Sequence, residues 1–414
     1  MANNAWLGRQ KKTAQITTVQ VTAYDAATTY RLTIGGIIIS TIAQGSVNAT
    51  AAGLVTAWNA STHGAPAEVT ASSSTDTVTL TADTSGTPFT VTSSVSGGSG
   101  TIGAASTTTA NTSPNDVNDA VNWSNAAVPG AADVVLIDGR TSESLKWNLD
   151  ALSAVAVTSI SVAQSFSGKI GLPDLNISGT AYTEYRSTAW QIQSSTINIG
   201  YGPGNGSGLM KFDPGSATAT TVNVYSTGSA SETGRQALTL LGTNAANVLN
   251  LSGGDVGIAP RGGADVATYA TINIGPSLGS SPRLRLGSGC TLTTINNDGG
   301  TLEINSALTT LTHKAGNTTI IGSGAITTLS CQGGNIVHAG TGTITTLTVA
   351  SGASFSLGDA GAAIVITNSI QVYKGSVFLD RSFRQDSGNA FVLNQCRLNE
   401  VAIDLGPNRT ITVT

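Results

Sequence analysis

Runs of four to six residues in which aliphatic and polar positions alternate recur along most of the chain, each followed by Gly, Ser or Asn. TSISVA, STINIG, TVNVYS, VLNLSG, ATINIG and RLRLGS are examples. A period of two buries one face of an extended strand, and the small residues after it supply turns. Runs so short, with no helical spacer between them, predict an all-β architecture for residues 117–380. One segment breaks the period: NATAAGLVTAWNAS places Leu54, Val55 and Trp58 on one side of a helix, with Asn48 or Thr50 as its cap. Strand-like AQITTVQVTA, TYRLTIGGIIIS, AEVTASSSTDTVTLTAD and TPFTVTS surround it, so residues 14–93 read as a small α+β domain with Trp58 in its core. Residues 1–13 read as a solvated tail and the Gly-, Ser- and Thr-rich 94–116 as a linker. Residues 381–414, more charged and out of rhythm, read as a cap or an oligomer contact.

The regular stretch selects the architecture. LTTI at Leu292, LTTL at Leu308, ITTL at Ile326 and ITTL at Ile344 start 16, 18 and 18 residues apart, and TLEI, TTII, NIVH and SFSL follow them in turn. A constant interval makes successive units equivalent in space, and a unit of this length can be one turn of a coil. The fold class expected is therefore mainly β, a parallel β-helix behind the α+β domain, with Leu308, Ile326 and Ile344 lying one over another. The two aliphatics of each LTTL are three apart, so a flat strand would put them on opposite faces. Either a corner falls between them or the first points outward.

Composition fits such a stack. Charged residues are 10% of the chain, against about 25% in ordinary soluble proteins. In a stacked coil each residue lies about 5 Å from its counterpart in the next turn, where a like charge is penalised and Thr, Ser or Asn is not. A net charge of −4 gives no basic field for a phosphate backbone, and Lys11 with Lys12 is an isolated basic pair, so nucleic acid is not an expected partner. MANNAWLGRQKK lacks the apolar core of a secretory signal and no run of 18 apolar residues occurs, so the expectation is a soluble chain made in the cytoplasm, with no membrane partner. Cys290, Cys331 and Cys396 are odd in number and read as buried small residues rather than a disulfide framework. With only His63, His313 and His338 and no CxxC, no metal site is expected.

Several patterns mimic chemistry. Gly275 to Gly279, GPSLG, matches a nucleophile elbow at Ser277, but strand-like SSPRLRLGS follows where a helix is required. GYGPGNGSG, 200–208, lacks the register and the ending of a phosphate loop and reads as a flexible excursion. NNDGGTLE lacks the ligand spacing of a calcium loop. Paired carboxylates, as in glycan-cleaving enzymes, would draw on Asp133, Asp138, Glu184, Asp213, Asp255 and Asp265, with Asp298, Glu303 and Asp359 the acids of the regular coils. Tyr182, Tyr185 and Trp190 form the one dense aromatic cluster and read as a packed loop or subunit contact rather than a glycan platform. No catalytic, cofactor-binding or metal-ligating residue is assigned, and no cofactor is expected.

The phrases NWSNAAVPGAADVVLIDG, SISVAQSFSGKIGLP, AYTEYRSTAWQI and INIGYGPGNGSG resemble those of tailed-bacteriophage virion proteins with a right-handed parallel β-helix. TYRLTIGG through EVTASSSTDTVTLTADTSGTPFTVTS is similar to small domains of phage structural proteins. The resemblance implies a non-enzymatic part of the particle, a capsid decoration, fibre or tail component, anchored by its amino-terminal domain. It implies a homotrimer with other virion proteins as partners, and virion localisation. A tailspike that binds or cleaves a host surface glycan is the alternative.

Overall fold

The computed structural model describes residues 2–173, 175–176, 182–263, 265–276, 281–357, 365–380, 385–386, 391–394 and 402–404. Two long parallel sheets dominate it. The longer, of fourteen strands, begins with Asn3–Ala5, Val134–Ile137, Ala156–Ala163, Gln193–Tyr201, Thr221–Val224, Val248–Leu251 and Ala267–Ile274. It continues through Cys290–Asn297, Leu308–His313, Ile326–Cys331, Ile344–Val349 and Val365–Tyr373 to two short final strands. The companion sheet of eleven strands runs from Trp190–Gln191 and Met210–Asp213 to Val377–Asp380 and Ala402–Asp404. From Trp190 to Val377 successive strands alternate between the two sheets, which share one continuous core. The arrangement is β-helix-like, and at about 4.8 Å per strand the longer sheet extends about 60 Å.

Register in the stack follows the sequence repeat. Leu308 pairs with Ile326 and Ile326 with Ile344, as the interval requires. Both aliphatics of each LTTL are buried: Leu308 with Leu311, Ile326 with Leu329, Ile344 with Leu347. The register steps from Leu308 to Thr310, passing over Thr309, so a corner lies between the aliphatics and both Thr side chains face outward.

At its leading end the stack departs from expectation. Residues 1–13 are not a free tail: Asn3–Ala5 pairs in parallel with Val134–Leu136, and Trp6 is fully buried. Trp6 meets Trp123 edge to face at 5.0 Å, Trp123 stacks on Trp190 at 6.3 Å, and Trp190 leans on Phe212 at 5.9 Å. Residues 123–127 cover the outer edge of the first strand: Ser124 N donates to Ala5 O at 2.9 Å and Asn4 Nδ2 to Ala127 O at 2.8 Å. A row of backbone groups that would otherwise be open for pairing is thereby closed.

The amino-terminal unit is α+β and antiparallel. Val69–Ser74, Thr77–Ala82, Ile16–Ala23 and Thr101–Ile102 form one sheet, with Ser106–Thr109 also on Ile16–Ala23, and Ile37–Ile42, Thr29–Ile34 and Val91–Ser96 form a second. The segment 94–116 is thus not a linker, since three strands of this unit draw on it; its Thr-rich run has enough β preference to pair once an edge is offered. Helix Val47–Asn59 packs Leu54 and Trp58 inward, and Trp58 Nε1 donates to Val69 O at 2.7 Å. Its cap is Ser46, whose Oγ accepts from Ala49 N at 3.1 Å, rather than Asn48 or Thr50. Thr50 is buried and its Oγ1 accepts from Gln44 N at 3.0 Å, holding the chain as it enters the helix. For the expected C-terminal cap, 381–414, the description extends only to strand pairing: Gln385–Asp386 and Phe391–Asn394 on Val365–Tyr373, and Ala402–Asp404 on Val377–Asp380.

Candidate functional site at the domain junction

The loop before Trp190 carries Glu184, Tyr185 and Arg186 from the stack to the amino-terminal unit. Arg186 Nε donates to Glu184 Oε1 at 2.6 Å and its Nη2 to Glu184 Oε2 at 3.0 Å. The same Nη2 reaches Glu68 Oε2 at 3.0 Å, and Nη1 donates to Pro88 O at 3.0 Å, both in the amino-terminal unit. Its guanidinium lies 4.9 Å from the Trp147 ring centre and 4.8 Å from that of Tyr185. Planar, multiply hydrogen-bonded recognition between two rings is what a guanidinium does and an ammonium cannot. Burial opposes the Arg186 charge, but the hydrogen bonds to Glu184 and the neighbouring Glu184 and Glu68 charges outweigh it and raise its pKa above the ordinary value. Burial pushes the Tyr185 hydroxyl up to about 12.

Two clefts flank this clasp. One, of about 270 Å³, is lined by Phe89, Lys146, Asn148, Asp150 and Tyr185, and the other, of about 290 Å³, by Glu68, Asp83, Trp147, Leu172 and Glu184, with Arg186 bordering both. Lys146 has its pKa lowered, first by burial and then by the charges of Lys169 and Lys12. Asp116, which accepts from Asn148 Nδ2 at 2.7 Å, has its carboxyl pKa raised, chiefly by burial. The hydrogen bonds of Arg186 are made to groups that it holds in place, so the cluster acts as a clasp between two bodies.

The second candidate is the outer face of the long sheet. Asn198, Asn223, Asn250, Asn273 and Asn296 occupy one column, and each Nδ2 donates to the Oδ1 of the preceding Asn at 2.9 Å. Thr312, Ser330 and Thr348 continue the column, and Thr271, Thr294, Thr310, Thr328 and Thr346 form another beside it. No Asp, Glu, Lys or Arg occurs in this sheet's strands from Asn3–Ala5 through Val365–Tyr373. The companion sheet carries the charges instead, including Arg285 against Glu303 at 2.8 Å.

The carboxylates named from sequence are engaged separately. Asp133 accepts from Gly130 N at 3.0 Å, Asp138 from Arg140 N at 3.0 Å, and Asp213 from Gly215 N at 2.9 Å. Asp265 accepts from Arg261 Nε at 2.9 Å, Asp255 is paired in register with Arg283, and Glu184 belongs to the clasp. Asp298 pairs with Lys314 at 3.0 Å. Ser277, Asp359 and Cys396 lie outside the described residues, as does the Tyr182 side chain. Trp190 is core and Tyr185 packs beside Gly35 of the amino-terminal unit. Residues 200–208 are not a loose excursion: Gly206 N donates to Gln164 O at 2.8 Å and Gly228 N to Ser207 O at 2.9 Å. A Cβ on Gly204 would lie 2.1 Å from Gln164 O, which is why glycine stands there. His63 is exposed, His313 and His338 are fully buried, and no group of three potential metal ligands occurs among the described residues. Cys290 and Cys331 are buried free thiols. Among the described residues no helix is long and apolar enough to cross a membrane.

Compared with family models, curated proteins and solved structures, the chain matches none. Its most elaborate ionic cluster escaped sequence reasoning because Glu68 and Arg186 are 118 residues apart. A signal existed: in so charge-poor a chain, Glu184 and Arg186 two positions apart within an aromatic loop mark a buried pair.

Proposed function

We propose that this chain is a non-enzymatic structural protein of a tailed-bacteriophage particle, a capsid decoration, fibre or tail-associated component. In this reading the two sheets close into a right-handed parallel β-helix, three copies pack as a homotrimer, and the amino-terminal unit anchors the rod. One observation carries the proposal: an in-register stack whose longer sheet has no charged side chain through Val365–Tyr373, so that identical neutral residues repeat along its length. Such a stack pairs nearly every backbone group above and below and makes a stiff spacer. The Arg186 clasp supports the same role, because a rod transmits position only when its base is fixed.

Immunogold labelling and mass spectrometry of purified particles test it. The expected result is label at regular positions on the particle; absence of the chain from the particle overturns the proposal. Release of reducing ends or unsaturated sugars from capsular or O-antigen polysaccharide would overturn its non-enzymatic part.

A further inference from the structure

Strand Ile37–Ile42, IIISTI, is the edge of its three-stranded sheet, and it has no charge and no proline. Its side chains are divided sharply. Ile39 is buried against the helix, whereas Ile38 and Ile42 are 59% and 64% exposed, with Ser40 exposed between them. Natural sheets usually blunt such an edge with a charge, a proline or a bulge, and this one uses none of them.

The hydrogen-bonding phase of the edge can be worked out. Ile34 pairs with Ile37 across the turn Gly35–Gly36, whose φ values of +55° and +78° mark the two-residue turn that needs glycine-like residues. The pair closing such a turn exchanges both of its bonds, and hydrogen-bonded pairs then alternate along the ladder. Ile37, Ile39 and Thr41 therefore spend their backbone groups on Thr29–Ile34. Ile38, Ser40 and Ile42 turn theirs to the open edge, the same three residues whose side chains are exposed. One outward group is already engaged: Ile42 O accepts from Gln44 Nε2 at 2.9 Å and from Thr41 Oγ1 at 3.1 Å, so pairing at that carbonyl displaces one of these two side-chain donors.

We infer that this edge pairs with the same edge of a second copy of the chain. The strand is its own complement. Antiparallel pairing centred on Ser40 sets Ser40 against Ser40 of the second copy and Ile38 against Ile42, so both exposed isoleucines are covered at once and two three-stranded sheets become one of six strands. The contact is isologous and closes on a twofold axis. No charge opposes it: the nearest cation on that face, Arg31, pairs with Ser40 on the inner strand, so the two copies of Arg31 stand three strand spacings, about 14 Å, apart. That exceeds the screening length of about 10 Å at 0.1 M salt. The pairing is independent of the virion reading and of any contact between rods.

Light scattering after gel filtration of the full chain tests it. The parent mass is expected to be an even multiple of 41.5 kDa. Ser40→Pro, which removes the axial N–H, and Ile38→Lys with Ile42→Lys should each halve it, with the far-ultraviolet spectrum unchanged. A second measurement reads the register. Ser40→Cys should oxidise to a covalent dimer, because directly opposed Cα atoms about 5.5 Å apart suit a disulfide. Ile42→Cys should link to Ile38→Cys in a mixture and not to itself. A parent mass that is an odd multiple, an even one that both variants leave unchanged, or self-linking of Ile42→Cys as efficient as that of Ser40→Cys overturns the inference.

Discussion

The early and late parts of the long sheet solve one packing problem differently. Between Gln193 and Ile274 the column partners lie 23 to 27 residues apart, the outer face is tied by asparagines, and the inward column is aliphatic: Ile199, Val224, Leu251, Ile274. Between Cys290 and Val349 the interval falls to 16 or 18, Thr312, Ser330 and Thr348 succeed the asparagines outside, and the inward column becomes Asn297, His313, Cys331 and Val349. Register survives both changes. What the stack requires is the lateral match of a few inward residues, while the length of chain spent outside the strands is free to vary. The shorter repeats bring polar groups inside, where they hold corners: Asn297 Oδ1 accepts from Gly299 and Gly300, and its Nδ2 donates to His313 Nδ1 at 3.1 Å. That bond places the proton of neutral His313 on Nε2, inside the core.

The largest expected break in this comparison is at the early end. Trp190→Ala removes the ring between Trp123 and Phe212 and should cost about 3–5 kcal/mol by chemical denaturation. Leu329→Ala, in the late part, should cost about 2–5 kcal/mol, and the lower end of that range would show that the short repeats collapse around a cavity better than the long ones.

Acid should separate the two parts next. Burial lowers the pKa of both His313 and His338 below the ordinary 6.5. The folded state then binds fewer protons than the unfolded one. Their contribution is complete above pH 6.5 and declines as the pH falls from there through the folded-state values. Hydrogen exchange should show amides of residues 308–349 losing protection on acidification before those of 193–274. His338→Leu, in a column with Leu357, should reduce the effect.

The smallest effects lie outside. Asn250→Ala interrupts two ladder bonds and should cost about 1–2 kcal/mol, whereas Thr328→Ala on the late part should stay within about 0.5 kcal/mol. Equal values from the same thermal unfolding measurement would mean that the asparagine ladder adds nothing beyond a neutral surface.

The late part was the legible one. Leu308, Ile326 and Ile344 announced their stacking because equal intervals are visible in one dimension. The early strands could be found as strands, but partners 25 and 27 residues apart carry no phrase to align, and the asparagine column emerges only once register is known. Asn3–Ala5 and Ser106–Thr109 were missed for a related reason: neither run has an inward aliphatic pattern, and each is made a strand by the edge beside it. The clasp was hidden by distance along the chain, since Glu68 and Arg186 stand 118 residues apart.

The pairing of Asn3–Ala5 with Val134–Leu136 also sets a clock on biosynthesis. Asn3 must wait for a partner made 131 positions later, which at 5–20 residues per second is roughly 7 to 26 s. For most of that interval Trp6 has no Trp123 to cover it, and the nascent chain carries an uncovered indole that a chaperone can hold.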